Sequence, residues 1–220
     1  MLAGHACESW LPVCGFELVH GRFTSDCYLL VMRLIALLLT LLLVGCAQRE
    51  ATPYAERYAL ALERYPGHVL TDDAPVKAFV AFFSHRNNAT PDAARATAAA
   101  LYADTLYFSD TLMTTERHDE AVSHLARMHG GTDTLEVDLL RQLTDGADVY
   151  LIWRMRATFT PVFRAVNSDT IGLTHLRFDA DGRIVLHQDF WDSADGFYQH
   201  VPGLGGLIHA VGNRFASQHP

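Results

Sequence analysis

At Gly130-Gly131 the hydrophobic period of this chain switches from helical to alternating, so helices must come first and strands later. Upstream, Tyr54, Tyr58, Ala61, Leu62 and Tyr65 repeat at helical spacing until Pro66-Gly67 stops them. Asp72 or Asp73 is placed to cap a second helix with Pro75 in its first turn, and Val76, Phe79, Val80 and Phe83 form its apolar face, which ends near Asn87-Asn88. The sequence predicts a third helix from Thr90-Pro91-Asp92 to about Ala103, and a fourth from Glu116 or Asp119 to His129. Downstream it predicts strands over 134–143, 148–159, 170–178 and 183–191. In the second of these, Val149, Leu151, Trp153, Met155, Ala157 and Phe159 share one face, and Tyr150, Ile152, Arg154, Arg156 and Thr158 share the other. Asp179-Ala180-Asp181-Gly182 reads as a tight hairpin in which Gly182 supplies positive φ. After Pro202-Gly203-Leu204-Gly205-Gly206, helical spacing returns with Leu207, Ile208, Val211 and Phe215. This glycine cluster lacks the Gly-Lys-Ser/Thr ending of a phosphate loop. Helices segregated from an antiparallel sheet define an α+β fold, here with N-terminal helices packed on the sheet and an added C-terminal helix.

The run MRLIALLLTLLLVGCAQRE, Met32 to Glu50, puts a cation, an apolar segment and a small-residue Cys site in the order of a secretory signal. Arg33 supplies the charge and Leu34 to Leu43 the apolar core, while Leu43-Val44-Gly45-Cys46 resembles the lipobox of bacterial lipoproteins, which implies lipidation at Cys46. The alternative is an uncleaved membrane anchor, but the clean apolar stretch is shorter than the roughly 20 residues a spanning helix needs. Residues 1–31 then read as an upstream extension from a start assigned too early, 32–45 as signal peptide, and 46–73 as lipidated Cys and tether with a short helix. Residues 74–220 read as one domain. Ala47 stands where an Asp would signal inner-membrane retention, so resemblance to sorted lipoproteins implies a periplasm-facing envelope address on the outer membrane.

All four cysteines fall at Cys7, Cys14, Cys27 and Cys46, so the domain has no disulfide, thiolate zinc site or Cys nucleophile. A formal charge of −8 disfavours nucleic acid and anionic lipid as partners, leaving the lipid anchor as the expected membrane contact. Lys77, the one lysine of the domain, has no neighbour in sequence that would activate it for Schiff-base chemistry.

Three segments carry a resemblance: Leu101 to Asp110, which leads from a helix into a first strand; Gly172 to Gly182, a strand and hairpin; and His187-Gln188-Asp189-Phe190-Trp191-Asp192. Over about residues 75–200 the chain resembles the nuclear transport factor 2-like superfamily, which includes ketosteroid isomerases and SnoaL-like polyketide cyclases. The resemblance implies a curved sheet forming a cone-like half-barrel closed at one end by helices, with a pocket on its concave face. It also implies homodimerisation through the outer face of the sheet. The scaffold holds enzymes, carriers and interaction modules alike, so the site must decide among them. Ketosteroid isomerases use an Asp at the end of the first strand as base, and Asp110 occupies that position here. Such a base needs apolar walls and an opposing donor to the enolate oxygen. Tyr102, Tyr107 and a protonated Asp189 are the alternatives for that donor, with Tyr102 expected on the helix, and no motif selects one. The competing reading of Asp110 is a turn-forming residue at a strand end.

On the last strand, alternation puts His187, Asp189 and Trp191 on one face and Leu186, Gln188 and Phe190 on the other. An imidazole and a carboxylate two positions apart can share a proton or a water, which suits cofactor-independent isomerase, cyclase or hydratase-like chemistry. Alternatively they simply pair with each other or with Arg154, Arg156 or Arg177. His175 joins them only if the hairpin register allows it, because a one-residue slip reverses its face. On paper His175, His187 and Asp189 make a two-His-one-carboxylate metal set, but 12 histidines make that combination easy to find, and no metal or cofactor is expected. His118, His124 and His129 lack i, i+4 metal spacing and read as surface residues. Tyr107, Trp153, Phe159, His175 and Trp191, with Phe163 and Phe178, are the candidates to wall a pocket for a small apolar molecule, against the alternative of ordinary core packing. A C-terminal helix used as a lid favours ligand sequestration, and one left exposed favours assembly with another protein.

Overall fold

The computed structural model describes residues 32–37, 52–84, 90–160 and 165–216. Two compact units divide the chain, Met1–Ala51 and Thr52–Pro220. In the first, residues 32–37 form helix α1. The upstream extension and Cys46 lie outside the described residues, as does Phe163. Among the described residues no helix is long and apolar enough to cross a membrane.

The second unit runs α2 (Tyr54–Arg64), α3 (Ala74–Ser84), α4 (Pro91–Leu101), β1 (Tyr102–Ser109), β2 (Thr114–Arg117), α5 (His118–Gly131), β3 (Thr132–Asp145), β4 (Asp148–Phe159), β5 (Val166–Phe178) and β6 (Ile184–Trp191). A single turn α6 (Ser193–Gly196), a 3-10 turn (Tyr198–His200) and α7 (Leu204–Ala216) complete it. The class is the expected α+β. One curved sheet has the order β2-β1-β6-β5-β4-β3, with β2 and β3 at open edges.

Local chemistry accounts for the element boundaries. The Thr90 hydroxyl accepts from Ala93 N at 3.1 Å and Pro91 follows at the first helical position, which fixes the start of α4. Asp72 Oδ1 accepts from Ala74 N at 2.7 Å where α3 begins. In the β5-β6 hairpin, Asp179 Oδ1 accepts from Asp181 N and Arg183 N, and Gly182 takes φ 76°. An added Cβ there would also lie 2.8 Å from the Pro75 ring.

Three details depart from the sequence reading. The sheet is antiparallel except that β1 runs parallel to β6, with Tyr107 opposite Leu186 and Phe108 opposite His187. Parallel neighbours need a long crossover, and here everything between β1 and β6 serves as one. Thr114–Arg117, partly assigned to a helix, instead pairs with β1 as strand β2, because the turn at 110–113 folds Thr114 back onto Ser109. Tyr102 opens β1 after capping α4 through its N–H to Ala98 O, so it is not on the helix.

The main core lies on the inner face of the sheet. Val76, Phe79 and Phe82 of α3, Ala94 and Ala98 of α4, and Ala121 and Leu125 of α5 meet Leu106, Phe108, Leu151, Leu176, Phe178 and Ile184 there. On the outer face α2 packs a smaller cluster, Ala61 against Tyr107 and Leu186. A polar clamp locks it down. Tyr58 Oη lies 2.7 Å from His175 Nδ1, and His175 Nε2 lies 2.6 Å from Asp148 Oδ1. Arg177 Nε donates to the same Asp148 oxygen at 2.5 Å, while its Nη1 donates to Leu62 O and Tyr65 O at the end of α2. Burial above all pushes the Tyr58 hydroxyl up to about 12, so it keeps its proton and donates, which assigns the other proton to His175 Nε2. Arginine satisfying two helix-end carbonyls is the role expected of a cation at a C-terminus.

Helix α7 is not a lid. Leu207 (61% exposed), Val211 (49%) and Phe215 (67%) share an open apolar stripe, and Gly205 alone is buried.

Burial lowers the His175 pKa below its ordinary value despite the opposing pull of Asp148, and burial also lowers His129. The unfolded chain therefore binds protons more readily at these positions, so stability is complete above the ordinary His value of about 6.5 and declines as pH falls below it. Burial would raise the Asp148 carboxyl, but Arg177 and His175 outweigh it and hold it low, which adds a further loss below about pH 4. The urea midpoint should accordingly drop between pH 7.5 and pH 5, with a shallower slope in His175→Gln. An unchanged slope in that variant would remove His175 from the account.

Candidate functional site

A cavity of about 420 Å³ lies between α3, α5 and the inner face of the sheet. Its walls are mostly apolar, with Phe83, Val137, Leu151, Met155, Phe159 and Phe197 contributing from four different elements or their flanks. Two indoles shape its floor. Gly172 stands opposite Trp153 on one side and Trp191 on the other in a single cross-strand row. A Cβ on Gly172 would fall 2.3 Å from the Trp153 ring, and one on Gly196 2.5 Å from the Trp191 ring. Both glycines are thus space for indoles, and removing that space is a steric matter rather than one of backbone strain.

Into this apolar enclosure project two imidazole-carboxylate couples. Asp110 follows β1 directly, in a turn where Thr111 holds φ 71°, an uncommon value for a β-branched residue and one that marks local strain. Asp110 Oδ1 accepts from Leu112 N at 3.1 Å and Met113 N at 2.8 Å, and His124 Nε2 lies 2.5 Å from Oδ2. Trp191 Nε1 donates to the Asp110 carbonyl at 2.9 Å. Asp110 therefore forms the turn and also faces the cavity. With both its oxygens engaged, it orients His124 and leaves Nδ1 of that ring to exchange a proton.

The second couple sits on β6, whose alternation points His187, Asp189 and Trp191 inward. His187 Nε2 lies 2.9 Å from Asp189 Oδ1, and Tyr102 Oη lies 2.6 Å from His187 Nδ1. Burial, reinforced by the charges of Asp189 and Asp110, raises the Tyr102 pKa well above its ordinary value. Tyr102 thus remains a donor to Nδ1, which places the ring proton on Nε2, aimed at Asp189. Asp189 Oδ1 also accepts from the Thr174 hydroxyl at 2.6 Å, and Thr174 in turn accepts from Trp153 Nε1 at 2.8 Å. All of these bonds fall on one oxygen. Among the described residues, Asp189 Oδ2 has no hydrogen-bond partner, and Asp189 lines the cavity.

Of the residues singled out from the sequence, Asp110, Trp153, Phe159, His187, Asp189 and Trp191 line this cavity. Tyr107 and His175 do not. Tyr107 projects from the outer face, where its hydroxyl donates to Gln188 Oε1 at 3.0 Å, and His175 belongs to the clamp under α2. Register is the reason: His175 stands opposite Gln188, not His187, so it shares the outward parity. That same register keeps the set His175, His187 and Asp189 apart, and the described residues contain no cluster that could hold a metal ion. Phe178 is core. Arg154, Arg156 and Arg177 pair with Asp169, with Glu136 and Asp138, and with Asp148, leaving the β6 couple to itself.

Three contributors were not foreseen: His124, Arg127 and Thr174. The expectation of surface histidines at 118, 124 and 129 fails, for all three are partly buried, and His129 packs on Phe82 at 4.3 Å between ring centroids. A signal for His124 did exist. Ala121, His124, Leu125 and Met128 share the i, i+3, i+4, i+7 stripe that α5 turns inward.

The SnoaL-like domain family matches residues 76–187, just over half of the chain. Among solved structures, the chain is similar to a putative SnoaL-like polyketide cyclase from Shewanella denitrificans at 15% identity and TM-score 0.47, covering 56% of this chain and 94% of that one. It is also similar to an LEH-like epoxide hydrolase from M. tuberculosis at 26% identity and TM-score 0.43, covering 62% and 96%. A third is a protein of ketosteroid isomerase-like fold from Catenulispora acidiphila, at 16% identity and TM-score 0.45, covering 57% and 91%. No curated protein matches.

Replacing Gly172 by Ala must displace the Trp153 ring and with it the bond to Thr174. We expect a loss of about 1–3 kcal/mol in chemical denaturation, the usual cost of overpacking, together with a changed near-UV dichroism. A variant with parental stability and spectrum would show that the indole does not depend on that space.

Proposed function

We propose, from the premise that the chain belongs to the SnoaL-like domain family, that it binds a small apolar or amphipathic molecule in the 420 Å³ cavity and moves a proton on it. The observation that carries this reading is the bare Oδ2 of Asp189, a carboxylate oxygen presented to an apolar cavity while its sister oxygen is held by His187 and Thr174. A carboxylate oxygen without donors beside apolar walls is suited to accept a proton from a molecule held there. In this reading Asp189 removes a proton from carbon next to a carbonyl and becomes the neutral acid. His124, held by Asp110 through Nε2, exchanges a proton at Nδ1 with the oxygen on which the electron pair settles. Return of the first proton at another carbon gives an isomerase, and attack of the enol carbon on a second carbonyl gives a cyclase. No cofactor is needed for either. The run from Met32 to Cys46 supports a chain lipidated at Cys46 and held at the envelope, periplasm-facing and on the outer membrane.

A second reading, a protein-protein interaction module, draws support from the apolar stripe of Leu204, Leu207, Val211 and Phe215 left open on α7. Its mark would be a specific crosslinked partner that disappears when residues 203–220 are deleted.

Native mass spectrometry of the full chain, purified from its own membranes, tests the first reading. A defined small molecule released on denaturation is expected, with affinity at least ten-fold weaker in Trp191→Ala. Given that ligand, Asp189→Asn should reduce turnover by 10²–10⁴-fold while still binding, as loss of a general base does. Parental turnover in Asp189→Asn would overturn the assignment of the base, and a chain found empty and unresponsive to apolar ligands would move the reading to the interaction module.

A further inference from the structure

Among the described residues, Arg127 is the one arginine or lysine that lines the cavity. It follows His124 by three residues on α5, so the two side chains lie on neighbouring faces of the same turn. Six arginines elsewhere in the unit are spent on carboxylates, while Arg95 donates to the Ser123 hydroxyl and Arg57 and Arg141 form no ion pair among the described residues. Arg64 meets Glu116, Arg117 meets Asp119 and Glu120, Arg154 meets Asp169, Arg156 meets Glu136 and Asp138, Arg177 meets Asp148, and Arg183 meets Asp179 and Asp181. Among the described residues Arg127 meets none, although two carboxylates share its cavity. Asp110 is taken by His124 and two backbone N–H groups, and Asp189 by His187 and Thr174.

Exposure orders these groups along an axis. Arg127 is exposed, whereas the side chains of His124, Asp189 and His187 are 14%, 16% and 2% exposed. The cation therefore stands at the rim and both imidazole-carboxylate couples lie below it. In a chain of formal charge −8, a guanidinium at the mouth of an apolar cavity is a local positive site in a negative field. Its planar fork matches a carboxylate with two parallel hydrogen bonds, which are stronger at a partly desolvated rim than in open water.

We propose that Arg127 selects, within the cavity reading on which this inference rests, an apolar molecule carrying one carboxylate. The carboxylate is held at the rim by Arg127, and repulsion from Asp189 prevents entry in the reversed orientation. The apolar body then runs inward over Trp153 and Trp191, and the carbon to be deprotonated reaches the floor.

Two probes of equal shape test it: 2-naphthoate, an acid, and naphthalene-2-methanol, the matching neutral alcohol. Both are titrated by calorimetry into the full chain in lipid nanodiscs at pH 7.5, with empty discs subtracted. The acid should bind about ten-fold or more tightly than the alcohol. Arg127→Gln should abolish that preference while leaving the affinity for the alcohol unchanged, and Arg127→Lys should keep part of it. Because Arg127 is exposed, both variants are expected to fold, and their far-UV dichroism checks this. Equal binding of the two probes by the parent, or a preference that persists in Arg127→Gln, overturns the role of Arg127 and leaves the cavity reading standing. Binding of neither probe overturns the cavity reading and this inference with it.

Discussion

The carboxylate of Asp110 is where strand, turn, helix and last strand are tied together. Its oxygens hold two backbone N–H groups of the 110–113 turn and the imidazole of α5, and its carbonyl holds the indole of β6. A charge placed beside a cavity with mostly apolar walls would be ruinous without those donors, so the turn must close as it does, strained Thr111 included. Once closed, it sends β2 back along β1 and launches α5 across the inner face, bringing His124 and Arg127 over the sheet. The position of one side chain thus sets the roof of the cavity as well as one of its two proton-carrying groups.

Much of this was legible in the chain, and the parts that were not share a cause. Alternation on β6 placed His187, Asp189 and Trp191 together because parity along a single strand needs no knowledge of neighbours. Tyr107 shows parity used too little: with Phe108 and Asp110 inward, the residue between Leu106 and Phe108 had to face out. His175 required the hairpin register, which depends on how Asp179 closes the turn and on the irregularity between Arg177 and Phe178. His124 carries an equally local signal, the inward stripe it shares with Ala121, Leu125 and Met128, which metal-ligand spacing does not reveal. The parallel pairing of β1 with β6 leaves no local trace, since the two strands are joined only by tertiary packing.

The two faces of the sheet use the same chemical vocabulary for different ends. On the outer face a tyrosine, a histidine and an aspartate form a chain joined by Arg177, which ties it to the end of α2. On the inner face a second tyrosine, histidine and aspartate form a similar chain, Tyr102, His187 and Asp189, whose carboxylate lines the cavity. Membership of the SnoaL-like domain family accounts for the scaffold common to both. The difference between the two chains lies in what the carboxylate faces, an arginine bound to a helix end or a cavity, which is a property of the site and not of the fold.

The indoles on the floor carry a consequence of their own. Each donates its Nε1 proton to a different arm of the site, Trp191 to the Asp110 carbonyl and Trp153 to the Thr174 hydroxyl that supports Asp189. Two well-dispersed side-chain amide resonances would therefore follow the two arms separately, one sensing the turn beneath α5 and the other the couple on β6. Few cavities of this size come with an internal spectroscopic label on each half, and here selective nitrogen labelling of tryptophan suffices to watch both halves respond when something enters.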